Sequence, residues 1–226
     1  MVQAISEKES LFIVGDVHGC FETLQQLLQY YDDSRDILVF VGDLIDRGPA
    51  IVETLDFVIE ASKTGAIALK GNHEYEFIKH MENPPNYGWL KQGGFQTIDQ
   101  MEIAGKFMLD YKPWLIACKT SFSWFNVFVS HAGFSRLWQN ENDLESPFSI
   151  LWNRGEVKRL HQVQVFGHTP HSLRGPMWIE ESNAWNIDSG AYKGNGLSAI
   201  RLNKKGEMLN SFFVDTAASD KIESIE

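Results

Sequence analysis

The sequence predicts an α/β fold in which a two-layered β core, a central β-sandwich, is flanked by helices and carries metal-binding side chains at its strand ends. Three observations lead there. Strand and helix periodicities alternate through the first half of the chain, and the second half is richer in strands. Several apolar runs also end on acidic, imidazole or amide groups: Gly15-Asp16-Val17-His18-Gly19, Gly42-Asp43-Leu44-Ile45-Asp46-Arg47-Gly48, Gly71-Asn72-His73-Glu74, Ser130-His131-Ala132-Gly133 and Gly167-His168-Thr169-Pro170. Such groups are costly to bury without partners. Collected around metal ions, they become a site.

Taken in order, residues 11–14 form a continuous apolar run that stops at Gly15-Asp16, as a fully buried strand does. Phe21, Leu24, Leu27, Leu28 and Tyr31 follow at helical spacing. Residues 37–41 read as a second buried strand ending at Gly42-Asp43. Pro49 suits a helix start, and Ile51, Val52, Leu55, Val58 and Ile59 trace one helical face up to Gly65. Residues 66–69 make a third strand that runs into Gly71-Asn72-His73. This β-α-β-α-β order implies parallel strands with right-handed crossovers. It places three motifs at carboxyl ends of strands, where ligands bind in open α/β sheets.

After Asn83-Pro84-Pro85-Asn86, an aromatic-rich, partly helical insert over residues 83–124 reads as a cap. Tyr87, Trp89, Phe95 and Trp114 are expected to pack that cap rather than line a substrate groove, because aromatics mostly serve burial. Residues 125–129 lead to His131, residues 163–166 to His168, and Asn186-Ile187-Asp188 to Ser189-Gly190. Residues 197–202 and 209–214 supply two late strands. The whole of residues 1–226 is expected to form one domain, with the polar tail 217–226 fraying.

Composition excludes several classes. Thirty acidic against 20 basic residues give a formal charge of −10, which argues against nucleic acid as the main partner. No apolar stretch approaches the ~20 residues that cross a bilayer, and the polar start, Met1 to Ser10, has no signal core. Cys20 and Cys118 lie in no Cys-x-x-Cys pair and are expected to be reduced, packed thiols. A cytoplasmic protein with no membrane partner is expected. The motif glycines precede no Gly-Lys-Ser/Thr, so a nucleotide P-loop is rejected; they permit tight turns instead.

Asp16 and His18, two apart beyond a strand, can face one ion. Asp43 closes the next strand; if the two strands are neighbours, about 5 Å apart, its carboxylate reaches the same ion and bridges to a second. Asn72, His131 and His168 can complete that second ion. Oxygen and nitrogen donors without thiolate suit Mn, Fe or Zn rather than a Cys-type structural zinc site. His80, His161 and His171 lack this context and read as surface or loop residues.

The ordered motifs resemble the signature of the phosphoprotein phosphatases. The resemblance continues through Trp152-Asn153-Arg154 to Ile187-Asp188-Ser189-Gly190 and covers about residues 12–195. Trp89-Leu90 with Gly93-Gly94, and the short length, resemble the bacteriophage and bacterial members. The resemblance implies a calcineurin-like metallophosphoesterase fold with two divalent ions, Mn foremost, and Fe or Zn as alternatives. It assigns Asp16, His18 and Asp43 to the first ion, and Asp43, Asn72, His131 and His168 to the second. His73 resembles the family's general acid, Asp46 its carboxylate partner, and Arg47 and Arg154 the arginines that hold phosphate. The implied activity is hydrolysis of phosphoserine, phosphothreonine or phosphotyrosine in phosphoproteins and phosphopeptides, by direct attack of metal-bound hydroxide. Ser189 to Gly196 does not read as the inhibitor-binding loop of eukaryotic members. The alternative is a symmetrical bis(5'-nucleosyl)-tetraphosphate hydrolase on the same scaffold. Asp46 and Asn-His-Glu argue against it, since those bacterial hydrolases tend to lack this carboxylate and to carry Asn-His-Asp. A non-catalytic phosphoprotein-binding module is disfavoured by the intact set of ligands, acid and arginines.

Overall fold

The computed structural model describes residues 7–221, so the expectations for the first six residues and for 222–226 lie outside the described residues. Strands β1 (Ser10–Val14), β2 (Asp36–Phe40) and β3 (Ile67–Ala68) pair in parallel, as the alternating pattern predicts. Helices α1 (Phe21–Leu27) and α2 (Ile51–Lys63) make the crossovers. The late strands β9 (Leu197–Asn203) and β10 (Met208–Val214) extend this sheet antiparallel beyond β1, in the order β10-β9-β1-β2-β3. A second sheet has the order β4-β5-β6-β8-β7, formed by Ser121–Trp124, Val127–Ser130, Val163–Phe166, Ala184–Asn186 and Met177–Ile179. Within it, β5, β6 and β8 are parallel.

Strands β1, β2 and β9 of the first sheet bury both faces, and the two-residue alternation sorts their side chains. Leu11, Ile13, Ile37 and Val39 pack with Val127, Val129, Val163 and Val165 of the second sheet. Phe12, Val14, Leu38 and Phe40 turn the other way, onto Leu24 and Leu27 of α1 and Ile51, Leu55 and Val58 of α2. Helices α3 (Asn72–Glu82), α4 (Phe95–Ile103) and α5 (Met108–Ala117) follow β3, with a single turn at Tyr87–Trp89 and a wide turn at Leu90–Gly94 leading into α4.

Two expectations are corrected. The insert does not run to residue 124: Ser121–Trp124 is an edge strand paired antiparallel with β5, and Trp124 is buried between the sheets. The serine–aromatic alternation Ser121-Phe122-Ser123-Trp124 is a strand signal that the surrounding aromatic content masks. The tail does not fray from 217. Ala218–Asp220 forms a turn, and the buried Asp220 carboxylate accepts from the Thr23 amide at 2.7 Å and its hydroxyl at 2.5 Å. Helix α1 has no capping side chain at Cys20, so Asp220 supplies the acceptor its first turn needs. Both cysteines are free. No described helix is long and apolar enough to cross a membrane.

Replacing Asp220 with Ala leaves two buried donors of Thr23 unmatched and should cost about 1–3 kcal/mol of stability. Denaturant unfolding reads this directly; an unchanged midpoint would mean that the tail does not hold α1.

Candidate metal centre

Parallel pairing puts Val14 opposite Phe40, so the Asp16 and Asp43 loops leave the first sheet side by side. Strands β5 and β6, also parallel, deliver His131 and His168 from the second sheet. The first turn of α3 contributes Asn72 and His73. The sheets are tied together here: the His168 amide donates to Asp16 Oδ2 at 2.9 Å, and His131 Nδ1 donates to the Val41 carbonyl at 3.1 Å. His18, Asp43, Asp46, Arg47 and His168 all have positive φ, between 45° and 70°. Such residues cost roughly 1–3 kcal/mol each and persist only where their surroundings hold them.

Glu74 does much of that holding. Its buried carboxylate accepts from the amides of Gly71 at 2.8 Å, Asp43 at 2.9 Å, Leu44 at 2.7 Å and Ile45 at 3.3 Å. One side chain thus pins both the start of α3 and the loop of Asp43. Gly71 permits the approach, since a Cβ there would lie 2.1 Å from Asp43 Oδ1.

The imidazoles point their lone pairs inward. A carbonyl only accepts, so the bonds from His18 Nδ1 to Ile45 at 2.7 Å and from His131 Nδ1 to Val41 fix the proton on Nδ1 and leave Nε2 an acceptor. Asp43 Oδ2 lies 3.5 Å from His18 Nε2 and 3.4 Å from His131 Nε2, the position of a bridge. His131 Nε2 is also 3.0 Å from Asn72 Oδ1 and 3.1 Å from His168 Nδ1. Burial pushes His18 well below its ordinary pKa, and burial with the neighbouring His131 does the same to His168. Burial opposes ionisation of Asp43, yet His131 and His73 hold it well below the usual carboxylate range.

Two sets of ligand atoms lie within 4.8 Å of one another: His18, Asp43 and His73, and Asp43, His131 and His168. Asn72 joins the second through His131. Asp16, expected on the first ion, stands outside the tight set, with His73 in its place. Its buried Oδ1 has no hydrogen-bond partner, and neither has His168 Nε2. Burial and the nearby Asp188 and Asp43 push Asp16 well above the carboxylate range, and burial with Asp43 raises Asp188 to about 6. Three buried carboxylates, an orphaned oxygen and inward lone pairs make a donor set that divalent cations fit.

His73 Nδ1 donates to Asp46 Oδ2 at 2.5 Å. Trp89 Nε1 donates to the same oxygen at 2.8 Å, and the Thr97 hydroxyl donates to Oδ1. Burial opposes protonation of His73, but Asp43 and the Asp46 hydrogen bond outweigh it and raise its pKa. Arg47 donates to His73 Nε2 at 2.8 Å and to His18 Nε2 at 2.9 Å, with its guanidinium 4.3 Å above the Tyr192 ring. Arg154 stands beside the second set, donating to the His168 carbonyl at 3.3 Å.

The aromatic insert is therefore a wall of the site. Trp89 and Trp114 pack the core as expected, whereas Tyr87 and Phe95 are exposed. Gly93, at φ 125°, brings the wide turn onto the Asp46 loop; a Cβ there would lie 2.6 Å from Asp46 Cβ. His80 is buried rather than on the surface, because its ring packs 4.9 Å from that of Trp89 and its Nδ1 accepts from the Asn86 amide. His161 is exposed, and His171 is half-buried against the Asn186 carbonyl. Sequence reasoning missed the parts played by Glu74, Thr97 and Tyr192. It gave Trp89 only the packing of the cap and quoted Asp188 within a motif without assigning it a task.

Glu74→Gln keeps the shape but turns an NH2 toward backbone donors. Metal affinity should fall about 10–100-fold, as when other groups supporting a ligand are removed. Calorimetric titration with Mn measures this; wild-type affinity would show that the clamp is dispensable.

The sequence pattern of the calcineurin-like phosphoesterases matches residues 10–201. The chain is 31% identical over 210 residues to serine/threonine-protein phosphatase 1 of Salmonella typhimurium, covering 85% of this chain and 91% of that protein. It is 33% identical over 196 residues to the symmetrical bis(5'-nucleosyl)-tetraphosphatase of Vibrio campbellii, covering 84% and 67% respectively. The cold-active protein-tyrosine phosphatase of a psychrophilic Shewanella shares the fold, with a TM-score of 0.62 at 19% identity over 90% of this chain and 81% of that one. The matched span runs from the start of β1 into β9 and contains every candidate ligand; the chain belongs to the calcineurin-like phosphoesterase family of hydrolases.

Proposed function

We propose that this phosphoesterase is a metal-dependent protein phosphatase that hydrolyses phosphoserine and phosphothreonine monoesters and also accepts phosphotyrosine. The observation that carries the reading is the buried Asp46–His73 pair, locked by Trp89 and Thr97 and aimed at the space Arg47 now spans. Leaving alkoxides of serine and threonine need a proton, and a fixed imidazole beside the phosphate supplies one.

Asp16, His18 and Asp43 would hold one divalent ion, and Asp43, Asn72, His131 and His168 the other, with Mn as the proposed metal. Bound there, the ions supply Lewis-acid charge for phosphoryl oxygens and lower the pKa of water. The chain's own groups do the rest. Arg47, now donating to Nε2 of His73 and of His18, would turn to a phosphate and present two parallel donors. Arg154 grips the same group from the side of the second set. With Arg47 gone, His73 takes up a proton on Nε2, because Asp46 holds its Nδ1–H and stabilises the charged ring. That proton passes to the departing oxygen.

A second reading, the symmetrical dinucleoside tetraphosphate hydrolase, is favoured by the 33% identity to the Vibrio campbellii protein. A terminal monoester offers three free oxygens to two arginines, and an internal pyrophosphate offers fewer. Only about 35 residues separate His131 from His168, leaving no long insert to seat a nucleotide. The retained Asp46 supports the monoester.

One set of assays at a fixed Mn concentration tests this. Catalytic efficiency on phosphoserine peptides should exceed that on diadenosine tetraphosphate by at least about tenfold, or ~1.4 kcal/mol. His73→Asn should cut turnover of the phosphoserine peptide by roughly two to four orders of magnitude. It should cost far less with p-nitrophenyl phosphate, whose leaving group scarcely needs a proton. A better rate on the dinucleotide would install the second reading, and equal losses across leaving groups would remove His73 as the acid.

A further inference from the structure

Arg154 and Thr169, which flank the second set of ligands, also line a cleft of about 600 Å³. That volume lies within the range of small-ligand sites, about 300–1,000 Å³, and far exceeds what a phosphate needs. Its floor is apolar: Val157, Phe166 and Ile179 form a small cluster apart from the two main cores, and half-buried Met177 adds to its wall. The exposed rim balances Arg136 and Arg154 against Glu156 and Glu181, so net charge does not choose the occupant.

The buried polar side chains of the lining are already committed. Ser182 Oγ donates to the Val157 carbonyl at 2.7 Å. Asn186 donates to the Thr169 carbonyl at 2.9 Å while its oxygen accepts from the Asp188 amide at 3.0 Å. Asn153 donates to the Ala132 carbonyl at 3.4 Å and accepts from the Gly155 amide at 3.1 Å. Recognition of a nucleobase edge needs several free, placed donors and acceptors, and these side chains are each already engaged within the chain. What remains is apolar shape next to an arginine that reaches the metal centre. Neighbouring Cα atoms in a peptide are 3.8 Å apart. The neighbour of a phosphorylated residue gripped by Arg154 is therefore within reach of this cleft.

We infer that the cleft is a specificity subsite that takes an apolar side chain adjacent to the phosphorylated residue of a peptide substrate. The inference rests on the protein phosphatase reading. It makes Met177 and Ile179 determinants of which phosphopeptides are hydrolysed, without a part in the chemistry.

The test uses one phosphoserine peptide with Gly, Leu or Asp placed in turn on either side of the phosphoserine, assayed on the wild-type protein and on Met177→Asp. Ile179→Ala serves as a milder second variant, and unfolding curves check that both are folded. At one flanking position, Leu should raise kcat/KM about tenfold over Gly. Met177→Asp should abolish that preference and Ile179→Ala should reduce it, while p-nitrophenyl phosphate turnover stays within about twofold of wild type. Peptides hydrolysed equally well whatever their flanks would overturn the subsite and leave the phosphatase reading standing. Poor hydrolysis of every peptide, with diadenosine tetraphosphate turnover lost in Met177→Asp, would overturn both and assign the cleft to a nucleoside.

Discussion

Asp16, Asp43 and Asp188 are each no more than 2% exposed, and they crowd one pocket where the two sheets meet. Like charges in a medium of low polarisability repel strongly. The imidazoles around Asp43 relieve part of this, but burial keeps His18 and His168 neutral, so they answer as lone-pair donors rather than as positive charges. The arrangement makes sense as a receptacle for cations, and the surrounding fold is organised to keep it in place. Parallel strands put the loops side by side, and hydrogen bonds from His168 to Asp16 and from His131 to Val41 join the two sheets there.

The loops that carry these groups adopt backbone conformations that side chains other than glycine disfavour, and their retention needs support from outside the loops. Glu74 gives it from α3, the Val41 carbonyl from β2's end, and the His168 amide from the second sheet. The wide turn at Leu90–Gly94 presses onto the Asp46 loop, and Trp89 and Thr97 fix its carboxylate. The acid–base pair is thus assembled by a segment that lies 43 to 51 residues away from Asp46 in sequence. The Asp46 carboxylate is held in place by groups outside its own loop, which is what a fixed proton carrier requires.

Much of this was legible in the amino-acid order. Continuous apolar runs that end abruptly on Gly-Asp reported strands β1 and β2 and their exits, because a strand covered on both faces has no other way to read. The motif residues His18, Asp43, Asn72, His131 and His168 do converge. What stayed hidden depended on contacts across the chain. The edge strand Ser121–Trp124 is short and embedded in aromatic sequence. Asp220 is tied down by a helix nearly 200 residues earlier, and no local pattern announces such a tie. Asp16 lies just outside the tight cluster of His18, Asp43 and His73, and spacing along the chain cannot say how close each donor atom comes. Glu74 stood only as the last residue of the Asn-His-Glu motif, and only the folded loop reveals its four amide partners.

The central proposal is that this pocket would hold two divalent ions, with Asp43 among the ligands of both. Stepwise addition of Mn to metal-free protein, with bound metal and hydrolysis of a phosphomonoester followed together, tests it most directly. Two ions per chain should bind, and activity should appear only as the second site fills. Full activity at a single bound ion per chain would contradict the account.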